Sequence, residues 1–498
     1  MKRLFPVVML IMCGLISACD ENKQEKSVNQ PHCLINVAVS STIPQDTKLS
    51  DQASFNCMAW QQFIALNWSA DLNADAKTFG TPGDYTPKVF ETYKNIHSFL
   101  GGDGSDPGPW RNQTTSTVVN GEKVAHPRYL SRTSKFSDGF DSGDIEEAAP
   151  SPNAWLADKQ GNLVWYEVLV NQDEYDYFYR NGFYKAKKQN EAASQGIHIN
   201  LPKGELGGRV GAMEIKTAWL TVEEPDDPKW QRYKLANGVF CDDTEHCSSN
   251  TVALIGMHII HKTVSQPSWI WSTFEHVDNA PDKADINSGK VLKRDYNFYS
   301  ESCTEQAIPS ACIKGTASQD KAVTTTCEPN TAPKFGLNIE AGKPVGQCLP
   351  YPIQVVREYP IPNTNENPVR DINDMAHALI RQENPDSVYQ NYQLVNVIWN
   401  DSTVDENKAK ALPVDSLSLT GFRPNPATFP VANTVLETYV QQTSCVECHA
   451  HAHIATLSTS KTSKTSNTTP PEFASDYSFL FKLAKSKESQ TQQVSPDE

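Results

Sequence analysis

The residues best suited to chemistry lie close together near the C-terminal end of the chain. The segment SCVECHAHAH, at residues 444–453, contains two cysteines and three histidines. Cys445, Cys448 and His449 form a C-x-x-C-H pattern, and two metal chemistries use a C-x-x-C pair. A structural zinc site needs four ligands, but the sequence contains no second C-x-x-C pair that would complete one. The pattern instead predicts covalent attachment of haem through two thioether bonds, with the histidine as iron ligand.

This pattern resembles the haem-attachment site of c-type cytochromes. The resemblance implies that Cys445 and Cys448 bind one covalent haem c and that His449 is the proximal ligand of its iron. A disulfide between the two cysteines is the competing interpretation. Together with the segments HIIHKT at 258–263 and WSTFEHVDNAP at 271–281, the motif resembles exported bacterial lipoproteins of the mono-haem c-type cytochrome family.

The rest of the C-terminal region differs from a small cytochrome c domain. Such a domain supplies a distal methionine after its C-x-x-C-H motif, whereas no methionine follows His449. Residues 456–470 are polar, and the segment PEFASDYSFLFKLAK at 471–485 predicts a short amphipathic helix whose aromatic face packs over the haem or onto the main body. His451 and His453 follow His449 too closely to pass round a macrocycle about 10 Å across. We therefore expect upstream residues to form the distal side.

The N-terminus predicts export and lipid anchoring. Two basic residues precede the apolar run LFPVVMLIMCGL, which is typical of a signal peptide and too short for a comfortable membrane span. The run leads into ISAC at 16–19, which resembles a bacterial lipobox. This resemblance implies that residues 1–18 are a lipoprotein signal peptide, that Cys19 is lipidated and that the protein lies on the periplasmic face of a bacterial membrane. Asp20 resembles an inner-membrane retention signal, which favours the inner membrane.

The remaining cysteines predict disulfides. Of the 12 cysteines, one lies in the signal peptide, one is the lipidation site and two belong to the haem motif, which leaves eight. An even number in an exported chain is typical of pairing in an oxidising compartment, although the sequence does not fix the connectivity. Pairing between neighbours in the chain would join Cys33 with Cys57, Cys241 with Cys247, Cys303 with Cys312, and Cys327 with Cys348.

The charge of the chain narrows the choice of partners. Lys and Arg number 44 against 59 Asp and Glu, which gives a formal net charge of −15 at pH 7. Such a chain is not expected to bind nucleic acid or an anionic lipid surface, and no stretch after the signal peptide is apolar for long enough to span a bilayer. The partners we expect are a redox partner protein or a small-molecule substrate, with membrane contact only through the N-terminal lipid.

The order of predicted elements indicates an α+β fold. We expect a mainly antiparallel sheet with flanking helices and long disulfide-stapled loops, plus a small helical haem c segment at the C-terminus. Residues 19–50 are polar and predict a tether, and residues 51–400 contain the strand-like runs of an α+β main body. Residues 401–490 are expected to form the c-type haem segment, packed on that body.

Two neighbouring runs of the main body contain most of the candidate site residues. The segments MHIIHKT at 257–263 and WIWSTFEHV at 269–277 predict paired antiparallel strands, whose side chains alternate between two faces. One face would carry Met257, His261, Phe274 and His276, and the other His258, Trp271, Thr273 and Glu275. On an earlier strand, Glu214 and Lys216 alternate with apolar residues and are expected on an exposed face.

Ionisable groups within such apolar strands need partners or a function. We expect His258, His276 and Glu275 as acid–base groups. His261 is expected to contact the haem, and His276 is also a candidate for the distal iron ligand. For each histidine the alternative is a hydrogen-bonded position in the core, and for Glu275 it is an internal ion pair.

Two functional hypotheses share the covalent haem. In the first, the protein passes single electrons through six-coordinate, low-spin iron, whose ligands and surroundings set the reduction potential. In the second, the protein is a mono-haem oxidoreductase, with peroxidase- or oxygenase-like chemistry at an open distal site formed by the main body and with a His/Glu pair as general base and acid. A haem-based sensor or scavenging module is a third interpretation. The sequence favours haem-dependent redox chemistry and leaves the specific activity open.

Overall fold

The chain is organised around one large β-sheet, which is seen in a computed structural model. The described residues are 33–46, 51–100, 104–111, 115–132, 155–241, 246–292, 294–313, 323–399, 430–455 and 473–484. The predicted signal peptide at 1–18 and the predicted lipidation site Cys19 lie outside the described residues. Within those ranges, no helix is long and apolar enough to cross a membrane.

Most of the strands belong to one eight-stranded sheet. In chain order the strands are β1 (Lys94–Asn95), β2 (Ser116–Val119), β3 (Glu122–Ala125), β4 (Pro127–Tyr129), β5 (Val164–Val170), β6 (Met213–Thr221), β7 (Leu235–Cys241), β8 (Cys247–His261), β9 (Ile270–His276), β10 (Ile339–Glu340), β11 (Lys343–Pro344) and β12 (Tyr392–Trp399). The sheet has the order β1-β5-β6-β8-β7-β4, and β9 joins it by pairing with both β8 and β12. Two small ribbons, β2 with β3 and β10 with β11, lie outside it.

Strand β8 is the central strand because it is long enough to pair with three neighbours. It is 15 residues long. Its first half pairs with β7 and its second half with β9, while β6 pairs with residues 252–261. These pairings are antiparallel, and among the described strands of this sheet the β4–β7 pair is the parallel one. The predicted α+β fold is confirmed, with the correction that the sheet is mixed.

Helix α1 covers one face of the sheet. The helices are α1 (Gln52–Leu66), α2 (Gln172–Asn181), α3 (Ala186–Ser194), α4 (Lys283–Asn287), α5 (Val369–Glu383) and α6 (Cys445–His449). Asp51 caps α1 by accepting the Ser54 N–H at 2.8 Å, and the ring of Phe63 stacks on Phe274 at a centroid distance of 4.4 Å. The side of the sheet that α1 contacts is named the helical face; it carries Met257, His261, Phe274 and His276.

Two C-terminal segments cover the opposite face, which carries His258, Trp271, Thr273 and Glu275 and is named the C-terminal face. The predicted alternation is confirmed, since β8 and β9 pair His258 with Thr273. Residues 430–455 lie against this face, where the Tyr166 hydroxyl donates to the Val435 carbonyl at 3.2 Å. Residues 473–484 lie beside them, and Phe481 stacks on Phe178 of α2 at 4.3 Å. The prediction that this aromatic segment packs onto the main body is confirmed.

The helix predicted for 471–485 is wrong. The described part of this segment contains one short 3-10 turn at Phe479–Leu483, and Ala474 pairs with His453 in an isolated β-bridge. Asp476 and Tyr477 have φ angles of 56° and 65°. Two consecutive left-handed residues cannot belong to a right-handed helix, so the aromatic spacing here does not mark a helical stripe.

The folded body begins before the predicted boundary at residue 51. Residues 33–46 fall within the predicted tether 19–50, but Val37 is buried in the core. Cys33 is disulfide-bonded to Cys57 of α1. The start of the main body is therefore fastened to α1 by a covalent link, and these residues belong to the fold.

Two of the predicted disulfides are confirmed and two are wrong. The bonds are Cys33–Cys57 and Cys241–Cys247, as predicted, and Cys303–Cys327 and Cys312–Cys348, which exchange the predicted partners. An antiparallel contact explains the exchange, because the Ile308 N–H donates to the Val323 carbonyl at 2.8 Å. This contact brings the chain before Ile308 beside the chain after Val323, so cysteines distant in sequence meet.

We expect the longer crosslink to stabilise the fold more than the shorter one. Replacing Cys312 and Cys348 with alanine opens a loop with a sequence separation of 36, and loop-closure entropy predicts a loss of about 4 kcal/mol in the free energy of unfolding. The matched double variant at Cys241 and Cys247, with a separation of 6, should lose about 2 kcal/mol. Urea denaturation measures both losses, and equal values would contradict the loop-length argument.

Candidate functional site

Helix α6 places the three reactive side chains of the C-x-x-C-H motif on one side of a single turn. The helix is 5 residues long, and residues three or four apart on a helix are neighbours. Cys445, Cys448 and His449 therefore lie together. Val446 is fully buried in the adjoining apolar cluster, whereas Cys445 and His449 are half-buried. The buried valine anchors the turn and leaves the motif at the edge of the cluster.

The two sulfur atoms of the motif lie outside the four disulfides of the described chain. Cys445 Sγ is 4.0 Å from the Val431 carbonyl oxygen, and Cys448 Sγ is 3.8 Å from the Thr443 hydroxyl. The competing interpretation, a disulfide between these two cysteines, is therefore not what the structure contains. Both sulfurs fit the thiol state from which a thioether bond is made.

The imidazole of His449 is oriented through one ring nitrogen. Its Nδ1 lies 2.7 Å from the backbone carbonyl oxygen of Tyr477. A carbonyl can only accept a hydrogen bond, so Nδ1 carries the proton and the neutral ring has its lone pair on Nε2. Metal-binding histidines commonly donate their second ring nitrogen in this way. Trp271 and Phe479 flank the ring at centroid distances of 6.4 and 5.0 Å, and these residues fit the proximal half of a haem site.

A buried ion pair fastens the turn that carries Tyr477. Lys262 Nζ donates to Asp476 Oδ2 at 2.5 Å, and the Leu201 N–H donates to the same oxygen at 2.7 Å. The indole N–H of Trp269 donates to the Asp476 carbonyl at 2.9 Å. These bonds hold two residues in the left-handed backbone region, which costs roughly 1–2 kcal/mol per residue, and they direct the Tyr477 carbonyl towards the histidine.

Two adjacent residues bind the haem-motif segment to the C-terminal face. Asn433 Nδ2 donates to Thr273 Oγ1 at 3.0 Å and to the Phe274 carbonyl at 2.7 Å. Thr434 donates to Glu275 Oε2 through its backbone N–H at 2.9 Å and through its hydroxyl at 2.7 Å. The segment before α6 is therefore fixed on β9 by polar contacts as well as by apolar packing.

Gly256 of β8 permits this close approach. A Cβ atom at this position would lie 2.7 Å from Cγ2 of Val435 and 3.2 Å from Oδ1 of Asn433. Carbon atoms in contact are about 3.5–4.0 Å apart, so any side chain here would push the segment away. The absence of a side chain at Gly256 thus helps to set the distance between the sheet and the haem-motif segment.

His258, a predicted acid–base group, lies on the C-terminal face and contacts this segment. Its Nε2 is 2.7 Å from Oε1 of Glu437, and the other oxygen of Glu437 accepts the Asn433 N–H at 2.8 Å. Both partners are buried. The structure therefore brings His258 to the side of the sheet that carries α6, where it pairs with Glu437.

Glu275 lies on the same face and is fully buried. Its Oε1 forms an ion pair with the Arg357 guanidinium, which also contacts Asp282, while its Oε2 accepts the two bonds from Thr434. Both carboxylate oxygens are thus engaged. The internal ion pair considered from the sequence is present, and the predicted acid–base role has no support from this geometry.

His261 lies on the helical face, so the sheet separates it from His449. Its Nε2–H donates to the Val210 carbonyl at 2.9 Å, and its Nδ1 accepts from the Gln62 side-chain amide of α1 at 2.6 Å. Burial lowers the pKa of His261 to about 4, so the ring is neutral at pH 7. The structure does not bring His261 to the haem motif as predicted; it holds the alternative position, hydrogen-bonded in the core.

His276 lies on the helical face as well. Its Nε2 is 3.1 Å from the Arg232 carbonyl, and its ring stacks on Tyr233 at a centroid distance of 3.8 Å. Burial lowers the pKa of His276 to about 4. The structure does not bring His276 to the haem motif, because the face it occupies is covered by α1 and not by the haem-motif segment; its roles as acid–base group and distal ligand stay predictions.

Glu214 and Lys216 are buried, and the expectation of an exposed face is wrong. They are 5% and 8% exposed. Strand β6 pairs Lys216 with His258 and Glu214 with Ile260, which places both side chains on the C-terminal face. The covering segments lie far away in sequence, so the alternation of polar and apolar residues in β6 could not reveal the burial.

No family model, curated protein or solved structure matches this chain. Within the described ranges, no group of three or more His, Cys, Asp or Glu side chains is arranged to hold a metal ion. What the site can do follows from its own residues: two thiols and one oriented imidazole on a single turn, packed against aromatic side chains.

We expect Glu275 to be a structural anchor. Glu275→Gln leaves the buried Arg357 guanidinium with Asp282 as its carboxylate partner and should lower the free energy of unfolding by about 3 kcal/mol, the lower end of the cost of breaking a buried ion pair. The control is Asp285→Asn, which removes the partner of the more exposed Lys290 and should cost less than about 1 kcal/mol. Urea denaturation measures both values. Equal stability of the two variants would contradict the anchor and return Glu275 to the acid–base candidates.

Proposed function

We propose that this protein binds one covalent haem c and transfers single electrons on the periplasmic face of a bacterial membrane. The observation that carries the proposal is the C-x-x-C-H motif on one helical turn, with the His449 Nδ1–H directed at the Tyr477 carbonyl. Cys445 and Cys448 would hold the haem and His449 its iron. When bound, haem supplies reversible one-electron chemistry at iron, with a potential set by its ligands and surroundings.

The residues around His449 would tune and shield that chemistry. A hydrogen bond from Nδ1–H to a carbonyl fixes the orientation of an imidazole and raises the basicity of its other nitrogen. Trp271 and Phe479 present apolar rings to the imidazole, and apolar surroundings limit access of water. The hydrogen bond to His449 and the two aromatic contacts come from the polypeptide, so their effects can be tested separately from the attachment of the haem.

The state of the acid–base candidates favours electron transfer over peroxidase- or oxygenase-like chemistry. An oxidoreductase needs a general base and acid within reach of an open distal site. Glu275 pairs with Arg357, His276 lies on the helical face, and the His258–Glu437 pair on the motif side of the sheet is buried. An electron carrier has no need of such groups. The large main body would then serve as the docking surface for a redox partner protein or as the binding surface for a small-molecule substrate.

The proposed location is inferred from the sequence. The ISAC segment would make Cys19 the lipid anchor, with Asp20 favouring the inner membrane, and the lipid would be the contact with the membrane. The four disulfides of the described chain agree with an oxidising compartment. Covalent attachment of c-type haem takes place outside the cytoplasm, which is consistent with the same location.

Covalent attachment should require both thiols of the motif. The intact mass of the protein, produced in a periplasm that contains haem-attachment machinery, should exceed the mass of the polypeptide by one haem. Cys445→Ala combined with Cys448→Ala should lose this increment. The control is Cys241→Ala with Cys247→Ala, which removes two cysteines of a disulfide and should keep the haem. Covalent haem in the first double variant would refute the proposal.

The optical and EPR spectra should be those of a six-coordinate carrier. We expect a low-spin ferric signal and a ferrous spectrum that carbon monoxide does not change, because the iron of the proposed electron carrier would not bind external ligands. His449→Ala should abolish the low-spin signal, whereas His451→Ala, an exposed histidine of the same segment, should leave it unchanged. High-spin ferric iron that binds carbon monoxide once reduced would instead favour the mono-haem oxidoreductase.

A further inference from the structure

Two buried carboxyl groups lie beside the turn that carries Tyr477. Glu174 belongs to the first turn of α2 and Glu214 to β6, and they are 0% and 5% exposed. Within the described ranges, the Glu174 carboxyl has no hydrogen-bond partner other than the Glu214 carboxyl beside it. Buried polar atoms are nearly always hydrogen-bonded, so these carboxyl groups require an explanation other than packing.

The two groups cannot both be ionised at this depth. An isolated carboxylate is costly to bury, and two neighbouring carboxylates repel each other. Burial and then the adjacent Glu214 raise the pKa of Glu174 well above its ordinary range, while burial raises the pKa of Glu214 to about 7. The pair titrates as a unit, and the Glu214 carboxyl takes part in a titration near neutrality.

The charges around the pair do not neutralise it. The charged groups that act on the pair are Lys262 after β8, which favours ionisation of Glu174, and Asp476 in the C-terminal turn. Lys262 is already committed to Asp476 at 2.5 Å, and the Asp476 carboxylate disfavours ionisation of both glutamates. We therefore expect the carboxyl pair to be neutralised by binding a proton.

Two adjacent residues of the C-terminal turn, Tyr477 and Ser478, connect the pair with His449. The Ser478 side chain hydrogen-bonds to the Glu214 carboxyl, and the preceding residue, Tyr477, accepts the His449 Nδ1–H at 2.7 Å. In a buried, low-dielectric environment, electrostatic interactions are stronger than in water. A change of charge at a metal bound to His449 would therefore act on the protonation of Glu214.

We propose that Glu174 and Glu214 form a proton-binding site whose occupancy follows the oxidation state of the haem iron. This inference rests on the proposed function. On one-electron reduction of a haem iron held by His449, the surroundings of the pair would lose one positive charge, and the Glu214 carboxylate would take up one proton from solvent. One electron and one proton arrive, an O–H bond forms on the carboxyl group, and no other bond is made or broken. Oxidation releases the proton.

The reduction potential of the wild-type holoprotein tests this coupling without any substitution. Because the reduced protein binds the proton more tightly, the potential should fall as the pH rises through neutrality. Uptake of one proton per electron changes the reduction equilibrium tenfold per pH unit, which is about 59 mV for a one-electron couple. Spectroelectrochemical titration from acidic to alkaline pH measures this slope. A potential independent of pH through neutrality would overturn the proposal.

Two variants assign the slope to this pair. Glu214→Gln keeps the shape of the side chain but cannot ionise, so the slope near neutrality should disappear. The matched control is Glu191→Gln, which replaces an exposed glutamate paired with Lys188 on α3 and should keep the wild-type slope. A slope retained in both Glu214→Gln and Glu174→Gln would overturn the assignment, and a slope lost equally in the control would do so as well.

A spectroscopic measurement covers the case in which Glu214→Gln fails to fold. The infrared difference spectrum of the wild-type protein, reduced minus oxidised, should show a protonated carboxyl band that forms on reduction and shifts in deuterated water. Absence of this band would overturn the proposal. Absence of covalent haem from the intact protein would instead overturn the proposed function, so the two failures are distinguishable by mass alone.

Discussion

Buried ionisable groups on the central strands determine how the molecule is assembled. Strands β6, β8 and β9 direct Glu214, His258 and Glu275 to one face, where an unpaired charge would cost roughly several kcal/mol. The partners that satisfy two of them, Glu437 and Thr434, come from the segment that immediately precedes α6. The contacts that hydrogen-bond these two groups therefore also position the C-x-x-C-H turn, while Arg357 balances the charge of Glu275.

The alternation of side chains in β8 and β9 could be predicted from the sequence, but the covering of each face could not. The pattern assigned His258 and His261 to opposite faces, as the structure has them. Which face meets the haem motif depends on pairs such as His258 with Glu437, which are 179 residues apart. A periodicity of two contains no information about such a contact, so it cannot show that the face of His261 and His276 is the one that does not meet the motif.

Local chemistry was similarly easier to predict than its surroundings. Cys445, Cys448 and His449 are close in sequence, and their arrangement on one turn follows from helix geometry alone. The acceptor for the histidine is a backbone carbonyl at Tyr477, and a carbonyl has no signature in the side-chain sequence. The prediction of two disulfide pairings was wrong for a related reason. A short antiparallel contact at Ile308, and not proximity along the chain, decides which cysteines meet.

The positions of the cysteines also bear on how the protein is made. All cysteines of the four disulfides lie between Cys33 and Cys348, whereas Cys445 and Cys448 come after them. A chain synthesised from its N-terminus exposes and folds its earlier part first. The strands against which the motif packs are therefore synthesised before Cys445 and Cys448. The cysteines of the four disulfides, which could otherwise pair with these two, are synthesised earlier as well. Chain order would therefore separate in time disulfide formation and the proposed attachment of haem, two chemistries that both consume thiols.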